Sequence, residues 1–477
     1  MILKDKIYIN TKELGYKVSA LCELFTYKNP EIFHKKRLKL SIVGTPPYLY
    51  HYSLTDINGE KILQIPRGGL DKVLTFYKEH SIAYRILDQR IELPPINVNL
   101  IDTVLQEQQT KLIDILMKNE GGLIEMDPGG GKSIAMLGLI AIMKQPTLLI
   151  MHELRLSDQW IGEIKKRLTG NFILGKYDGT IKEDGDIVVG IINSAYNKFQ
   201  EDASYFEKFG MVIVDEVQHL PAQMFLSVIN NVSAKYRIGI SGTIGRRDNK
   251  EILTYDVIGK TLIKIKAPEL KHRITDFNYK VVNTNIPMEL EQINRWTGKK
   301  RENVLDMTKS LTGLVENKDR NNIIISETID CINQGHFPLV MSSRVKHNEY
   351  LYEALTNLGI NTVLLIGKTR KKSKWEDIQK NTEIQCIVAN ERIASEGLDY
   401  PRLSALINTC PTSNTGKLEQ QLGRIRRILP NKLMPLVVDI CDNLVYLTTP
   451  AGPNYLLLHM AKVRYRFYEK LRAQYNA

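Results

Sequence analysis

The chain of 477 residues is long enough for two or three domains with full cores, and its 43 % hydrophobic and 25 % charged content is that of a folded globular protein, not a disordered one. No apolar run reaches the ~20 residues a membrane span needs, Met1-Ile-Leu-Lys lacks the form of a signal peptide, and five scattered cysteines (Cys22, Cys331, Cys386, Cys410, Cys441) argue against a disulfide frame or zinc site and for a reducing, cytoplasmic setting. The net charge of +12 asks for a polyanionic partner, nucleic acid first, and the basic clusters Lys35-Lys36-Arg37, Lys165-Lys166-Arg167, Lys299-Lys300-Arg301 and Arg370-Lys371-Lys372 are spread as a shared groove would require.

Residues 1–95 read as a small α+β accessory domain suited to binding nucleic acid. Ile7-Tyr8-Ile9 is a strand, and 16–33 has helical character. Residues 48–54 and 61–65 pair as a hairpin across Asn58-Gly59, a dipeptide that accepts the positive φ of a tight turn. Lys35 to Lys39 form a basic edge suited to phosphates, and Pro94-Pro95 ends the unit. It carries no catalytic pattern.

Residues 96–268 read as an α/β domain. Leu105, Leu112, Ile113 and Leu116 lie at helical spacing. The stretch 123–134, Leu-Ile-Glu-Met-Asp-Pro-Gly-Gly-Gly-Lys-Ser-Ile, then reads as a strand, a phosphate-cradling loop and a helix. Gly129, Gly130 and Gly131 let backbone N–H groups close on phosphate oxygens at a helix N-terminus. Lys132 is placed for the β/γ-phosphates and Ser133 for Mg²⁺. Met126 stands where the strict pattern begins with glycine. Apolar runs at 147–151, 187–191, 211–214 and 237–240 alternate with helical stretches, which predicts a parallel sheet covered on both faces. One run ends in Asp215-Glu216. A carboxylate at a strand tip beside the phosphate loop holds Mg²⁺, and a second one deprotonates the attacking water, so Asp215 is assigned to the metal and Glu216 to general base.

Residues 269–318 read as a connector with some helix. Residues 319–446 form a second α/β domain, with strands at 339–342, 362–366, 385–389, 405–408 and 436–440 and no phosphate loop. Its segment Gln420-Gln-Leu-Gly-Arg424-Ile-Arg-Arg427 offers two arginines at helical spacing three, on one face, whose guanidiniums would neutralise charge on a transferred phosphoryl group. Residues 447–477 read as a basic amphipathic helix. Leu456, Met460, Val463, Phe467 and Leu471 face the second domain, and Lys462, Arg466 and Lys470 face outward.

In this order the motifs resemble those of superfamily 2 DNA helicases and translocases of the DExH type, in particular the branch of the excision-repair helicase with its phage branch-migration and poxvirus relatives. The match runs from Asp127-Pro-Gly-Gly-Gly-Lys-Ser through Gln159-Trp160, Asp215-Glu-Val-Gln218-His219, Ser241-Gly-Thr243 with Arg246-Arg247-Asp248, and Glu396-Gly397-Leu-Asp399 to the 420–427 segment. The resemblance implies an α/β fold of two tandem RecA-like parallel-sheet domains behind the small N-terminal α+β domain, with ATP and Mg²⁺ as cofactors. It implies that Gln109 contacts adenine, that Gln218 and Gln420 belong to the nucleotide-binding set, and that Gly242 and Thr243 couple nucleotide to strand. Gly397 and Asp399, beside Glu396, would sense both, and Arg424 and Arg427 would reach the γ-phosphate. DNA contacts would come from Arg155, Asn193, Ser194, Ser343 and Arg344. The expected function is an ATP-dependent DNA helicase or translocase, acting as a monomer, that remodels or unwinds branched or forked DNA in branch migration, repair or recombination. An ATP-switched DNA-binding module, or the motor subunit of a larger complex, is the alternative, and RNA the less favoured strand. Three further positions depart from the pattern of these relatives. Gln218 stands where they carry His, Met151-His152-Glu153 where they carry a Pro-Thr pair, and Gln106 where an Arg often precedes the adenine-reading Gln.

Overall fold

The computed structural model describes all residues except 38–41, 128–129, 246–249, 266–273, 297–300, 367–377, 379–380, 396–399, 450–451 and 477. Gly129, Arg246 to Asp248, Glu396, Gly397 and Asp399 therefore lie outside the described residues. The chain forms two compact units, Met1–Met126 with Gly131–Ile265, and Asp127–Gly130 with Lys266–Ala477.

The first unit is built on an eight-stranded sheet. Its order is Lys182–Glu183, Leu174–Tyr177, Ile187–Ile191, Thr147–Met151, Met211–Asp215, Tyr236–Ser241, Gly121–Met126 and Thr261–Ile265, all parallel except the first. The central strands are buried from end to end because helices cover both faces, which is why they read as unbroken apolar runs. Where Gly121 sits, a Cβ would lie 2.2 Å from the Arg237 carbonyl oxygen, and the φ of 132° belongs to glycine.

The N-terminal residues of this unit form a five-stranded sheet, Ser53–Ile57, Glu60–Pro66, Lys6–Asn10, Ile2–Leu3 and Leu87–Asp88, over a core that includes Ile7, Ile9, Phe25, Leu63, Ile65 and Phe76. The Asn58-Gly59 hairpin forms, both residues at positive φ, but its first strand is Ser53–Ile57. Tyr48–Tyr50 pairs instead with Thr26–Lys28, and this strand splits the helix expected over 16–33 into Val18–Glu23 and Pro30–Arg37. Asp256, fully buried on the helix Glu251–Ile258, ties this sheet to the larger one. It accepts from Tyr27 Oη at 2.7 Å and Lys72 Nζ at 2.7 Å and lies 2.9 Å from His51 Nδ1. Arg67 donates to the carbonyl oxygen of Ala234, and Arg237 to those of Asp5, Val232 and Val257.

The second unit holds a six-stranded, all-parallel sheet ordered Asn278–Asn283, Leu436–Cys441, Ala405–Asn408, Pro338–Ser342, Cys386–Asn390 and Thr362–Leu365. Together with the sheet of the first unit this is the α/β, RecA-like architecture expected. The expected connector is different: Asn278–Asn283 is an edge strand of this sheet, followed by the hairpin Gln292–Trp296 with Arg301–Leu305 and the helix Met307–Glu316. The edge strand escaped notice because half-exposed residues alternate along it. The C-terminal helix Leu456–Asn476 turns a face one position away from the expected stripe. Leu457, Ala461, Arg464, Tyr468 and Leu471 are buried, while Lys462, Arg466 and Lys470 are exposed as expected. Arg464 is inside because Asp439 of the strand Leu436–Cys441 takes its Nε and Nη2 together, with Tyr468 Oη donating to the same carboxylate at 2.8 Å.

All five cysteines are free and buried. Among the described residues there is no metal-ligand cluster of His, Cys, Asp and Glu, and no helix is long and apolar enough to cross a membrane.

Candidate functional site

In the first unit the sequence-predicted residues gather at the C-terminal ends of the parallel strands, the edge where open α/β sheets place their ligands. The strand Gly121–Met126 runs into the loop and the helix Lys132–Met143. Gly131 turns the chain at φ 81°, and the Gly130 N–H bonds the Asp127 carbonyl oxygen at 3.2 Å. Lys132 Nζ donates to the Met126 carbonyl oxygen at 3.1 Å, so the lysine lies along the loop. Ser133, half-buried, follows in the first helical turn.

Gln109 is fully buried, with both ends of its amide engaged inside the protein. Its Oε1 accepts the Gln106 N–H at 3.0 Å, and its Nε2 donates to the Gly131 carbonyl oxygen at 3.2 Å. In this structure Gln109 holds the last glycine of the loop where adenine contact was expected. Gln106, one of the departures, caps the helix Glu107–Asn119 through a reciprocal capping box with Gln109.

The acids lie two strands along the sheet, on the far side of Tyr236–Ser241. Asp215 ends the strand Met211–Asp215, and Glu216 follows with its backbone at φ 50°, a left-handed conformation that costs a residue with a Cβ of the order of 1 kcal/mol and that clusters at functional sites. Asp215 accepts the Trp160 indole N–H at 2.7 Å and the Glu216 N–H at 2.9 Å. Burial, then the Glu216 carboxylate, push Asp215 up to about 6, against the pull of the indole and of Lys132. A carboxyl group pushed this way by a neighbouring acid is stabilised as a carboxylate by a cation, so the donor set fits a divalent ion held by Asp215 with Ser133.

Beyond Glu216 a chain of side chains crosses to the next strand tip. Gln218 Nε2 donates to Glu216 Oε2 at 2.7 Å, and Gln218 Oε1 lies 2.6 Å from Ser241 Oγ. The carboxylate fixes the orientation of the amide, since only the NH₂ end can face it, and the hydroxyl must therefore donate to Oε1. Ser241 Oγ also accepts the Thr243 N–H at 3.0 Å. The departure from His to Gln at 218 is thus satisfied by a residue with a donor at one end and an acceptor at the other. Another departure, His152, meets the residue that follows Gln218: the rings of His152 and His219 stack with centroids 4.0 Å apart and planes 26° apart. Neither this stack nor the partnership of Trp160 with Asp215 was foreseen, and no local signal announces either, since each joins segments far apart in sequence.

The expected strand contacts are unequal. Asn193 is exposed in the first turn of the helix Ile192–Glu201, whereas Ser194 is buried; Arg155 is half-buried on the helix Leu154–Arg167. In the second unit Ser343 is exposed at the tip of the strand Pro338–Ser342, and its N–H bonds Cys410 Sγ at 3.0 Å. Arg344 caps the helix Val345–Asn357 and gives Nη2 to the Thr308 carbonyl oxygen at 3.0 Å.

Gln420 and Arg424 sit half-buried on the helix Thr415–Ile425, but Arg427 lies beyond its end, bridged antiparallel to Ile274. The single helical face expected for the two arginines is therefore corrected. The helix stops because Arg426 turns inward, donating Nε to the Thr275 carbonyl oxygen at 2.7 Å and packing between the rings of Phe277 and Tyr475.

Comparison with known proteins agrees with this geometry. Residues 90–246 match the family model "Type III restriction enzyme, res subunit", and residues 308–429 match "Helicase conserved C-terminal domain". Over 403 residues the chain is 29 % identical to "Probable helicase D10" of Escherichia phage T5, covering 83 % of each protein. It is 27 % identical over 414 residues to "Putative ATP-dependent RNA helicase L396" of Acanthamoeba polyphaga mimivirus, covering 85 % of this chain and 78 % of that one. It is 25 % identical over 391 residues to "DNA 3'-5' translocase XPB2" of Sulfurisphaera tokodaii, covering 74 % and 86 %. The fold is that of S. cerevisiae Dbp5 bound to RNA and ADP BeF3, at a TM-score of 0.52, 12 % identity and coverage of 77 % and 87 %. With the ordered motifs on two parallel sheets, these matches support a superfamily 2 helicase with phage and viral relatives.

Proposed function

We propose that this chain is an ATP-dependent DNA translocase or helicase that remodels branched or forked DNA. The observation that carries the reading is the hydrogen-bonded chain from Glu216 through Gln218 and Ser241 to Thr243, set beside Lys132 and Asp215. A site that merely held a nucleotide would have no use for a general base tied to the tip of a neighbouring strand.

Loop N–H groups and Lys132 bind the phosphates. Ser133 and Asp215 hold Mg²⁺, which supplies positive charge to the β/γ-phosphates when bound. Glu216, oriented by Gln218, takes the proton of the water attacking the γ-phosphorus. Arg424 and Arg427 supply guanidinium charge to the transferred phosphoryl group, a role worth about 10³–10⁵ in rate for an arginine finger, and Gln420, Gly397 and Asp399 complete the nucleotide set. Asn193 and Ser343, exposed at strand tips, and the neighbouring Arg155, Ser194 and Arg344 serve the strand backbone. DNA is favoured over RNA because the ordered motifs resemble those of the excision-repair branch and a relative named a DNA translocase matches 74 % of the chain, although another, matching 85 %, is named an RNA helicase.

The test is an ATPase assay across single-stranded, duplex, forked and four-way DNA, and RNA. Highest stimulation by branched DNA is expected. Equal rates with and without every nucleic acid would overturn the motor reading, and stimulation by RNA alone would move the substrate.

A further inference from the structure

Away from the ATPase residues, the small sheet of Thr26–Lys28 and Tyr48–Tyr50 carries a row of aromatic rings. Side chains two apart on a strand share a face, so Tyr48 and Tyr50 stand side by side, and Tyr52 continues the row. Ring centroids are 6.5 Å apart for Tyr48 and Tyr50 and 6.1 Å apart for Tyr50 and Tyr52. Tyr52 packs against the core of the N-terminal sheet and fixes the inner end of the row. Tyr50 is 62 % exposed and Tyr48 42 %. Directly across from Tyr48 is Lys28, also exposed, and across from Tyr50 is Thr26.

The surroundings are positive. Residues 26–52 hold Lys28, Lys35, Lys36, Arg37 and Lys39 against a single acid, Glu31. That acid is answered twice over, by Lys35 at 2.8 Å and Lys250 at 3.4 Å. Exposed rings facing Lys28, in a stretch whose sequence carries more cations than acids, match a polyanion that also offers flat apolar faces. A single nucleic-acid strand is such a molecule, whereas a duplex keeps its base faces inside the stack. The ring spacing is a little under twice the ~3.4 Å rise per base of a stacked strand, so successive bases of a strand drawn out to about twice that rise would meet successive rings.

We propose that Tyr48 and Tyr50, with Lys28 beside them, form a stacking platform for single-stranded nucleic acid, separate from the strand contacts of the helicase motifs. The inference rests on the reading of nucleic acid as substrate and adds where, and by which chemistry, the N-terminal domain takes part. Stacking tolerates any base, as a motor that must ignore sequence requires.

The experiment is fluorescence anisotropy of the full chain with a labelled 20-nucleotide thymidine strand over a range of salt. The double variant Tyr48→Ala, Tyr50→Ala should weaken binding about tenfold or more, the size of one or two lost base stacks, with an unchanged slope of log K against log salt. Lys28→Ala should instead flatten that slope by about 0.7, one released counterion on a single strand. Tyr48→Phe with Tyr50→Phe should bind as the parent does, because the ring and not the hydroxyl is used. Parental affinity in the alanine variant overturns the platform and leaves a protein partner as the use of this face. A phenylalanine variant as weak as the alanine one also overturns it. If the parent chain binds no DNA or RNA at all, the functional reading fails, a result distinct from either.

Discussion

The imidazole of His152 lies flat against that of His219, 4.0 Å between centroids. His152 follows the strand Thr147–Met151 and His219 closes the turn after Asp215 and Glu216, at the end of the neighbouring strand Met211–Asp215. The segment that begins at His152 goes on to Arg155 and to Trp160, whose indole holds Asp215. The segment proposed to meet nucleic acid near Arg155 and the two carboxylates are therefore joined at two points. Replacing His219 by alanine should leave ATPase without nucleic acid within twofold and reduce the stimulated rate by about 2–10-fold, the size of one aromatic pair. His152→Ala should match it, and the double variant should be no worse than either single. Steady-state rates with and without a forked strand decide; additive losses would mean that the rings act separately.

Glu216→Gln keeps the shape of the side chain and removes the base. Hydrolysis should fall about 10²–10⁴-fold while ATP binding persists. Single-turnover hydrolysis and nucleotide binding on the same preparation check this, and an unimpaired rate would dismiss Glu216 as the base. If the variant still binds DNA in an ATP-dependent way yet separates no strands, movement needs hydrolysis; if strand separation survives, the switch reading gains.

His347 should make the second unit acid-sensitive. It is buried, with Nδ1 2.9 Å from Ser342 Oγ and Nε2 2.9 Å from Asn321 Oδ1, and burial, then the Arg320 guanidinium, lower its pKa from 6.5 to about 3. Because Asn321 Oδ1 only accepts, Nε2 carries the proton and Nδ1 accepts from the serine. A histidine depressed on folding binds fewer protons in the native state between the two values. Its contribution is whole above pH 6.5 and is lost as pH falls toward 3. At pH 5 the loss is about 2 kcal/mol. Urea midpoints at pH 7 and pH 5 for the parent and for His347→Gln should differ by that amount in pH dependence. Parallel curves would refute the assignment.

Asp256 holds the N-terminal sheet to the first parallel sheet through Tyr27, His51 and Lys72, and burial, then the Asp256 charge, push the Tyr27 phenol well above its ordinary range. Asp256→Ala leaves three polar groups without their acceptor. Lys72 is partly exposed and can rehydrate, so the expected cost is about 2–3 kcal/mol, below the usual figure for a fully buried pair. Chemical unfolding measures it. A loss under 0.5 kcal/mol would show that packing alone joins the two sheets.

Much of this fold can be read in the sequence, for a physical reason. Parallel strands covered on both faces become continuous apolar runs, and Thr147–Met151 and Met211–Asp215 stand out on that ground alone. The phosphate loop is as plain, because three consecutive glycines stand out and Gly131 takes the positive φ that favours glycine. Structure that depends on a distant partner stayed hidden. Thr26–Lys28 is a strand only because Tyr48–Tyr50 lies beside it, and Asn278–Asn283 only because Leu436–Cys441 does. The buried face of the last helix was misread by one position because Arg464 looks like a solvent residue until Asp439 is placed against it. Gln109 and Trp160 belong with these: their residue types were visible, but not the groups they hold.

The salt bridge of Arg464 has a bearing on synthesis. Asp439 lies on a strand inside the second sheet, and its cation arrives only on the helix Leu456–Asn476, so that carboxylate is unanswered until the ribosome has passed position 464. Until then the nascent half carries an unmatched charge at its centre and has reason to wait on chaperones. A stop codon anywhere before position 464 would thus discard more than a tail: the released product would be a substrate for proteases, with its first unit intact and its second unable to close.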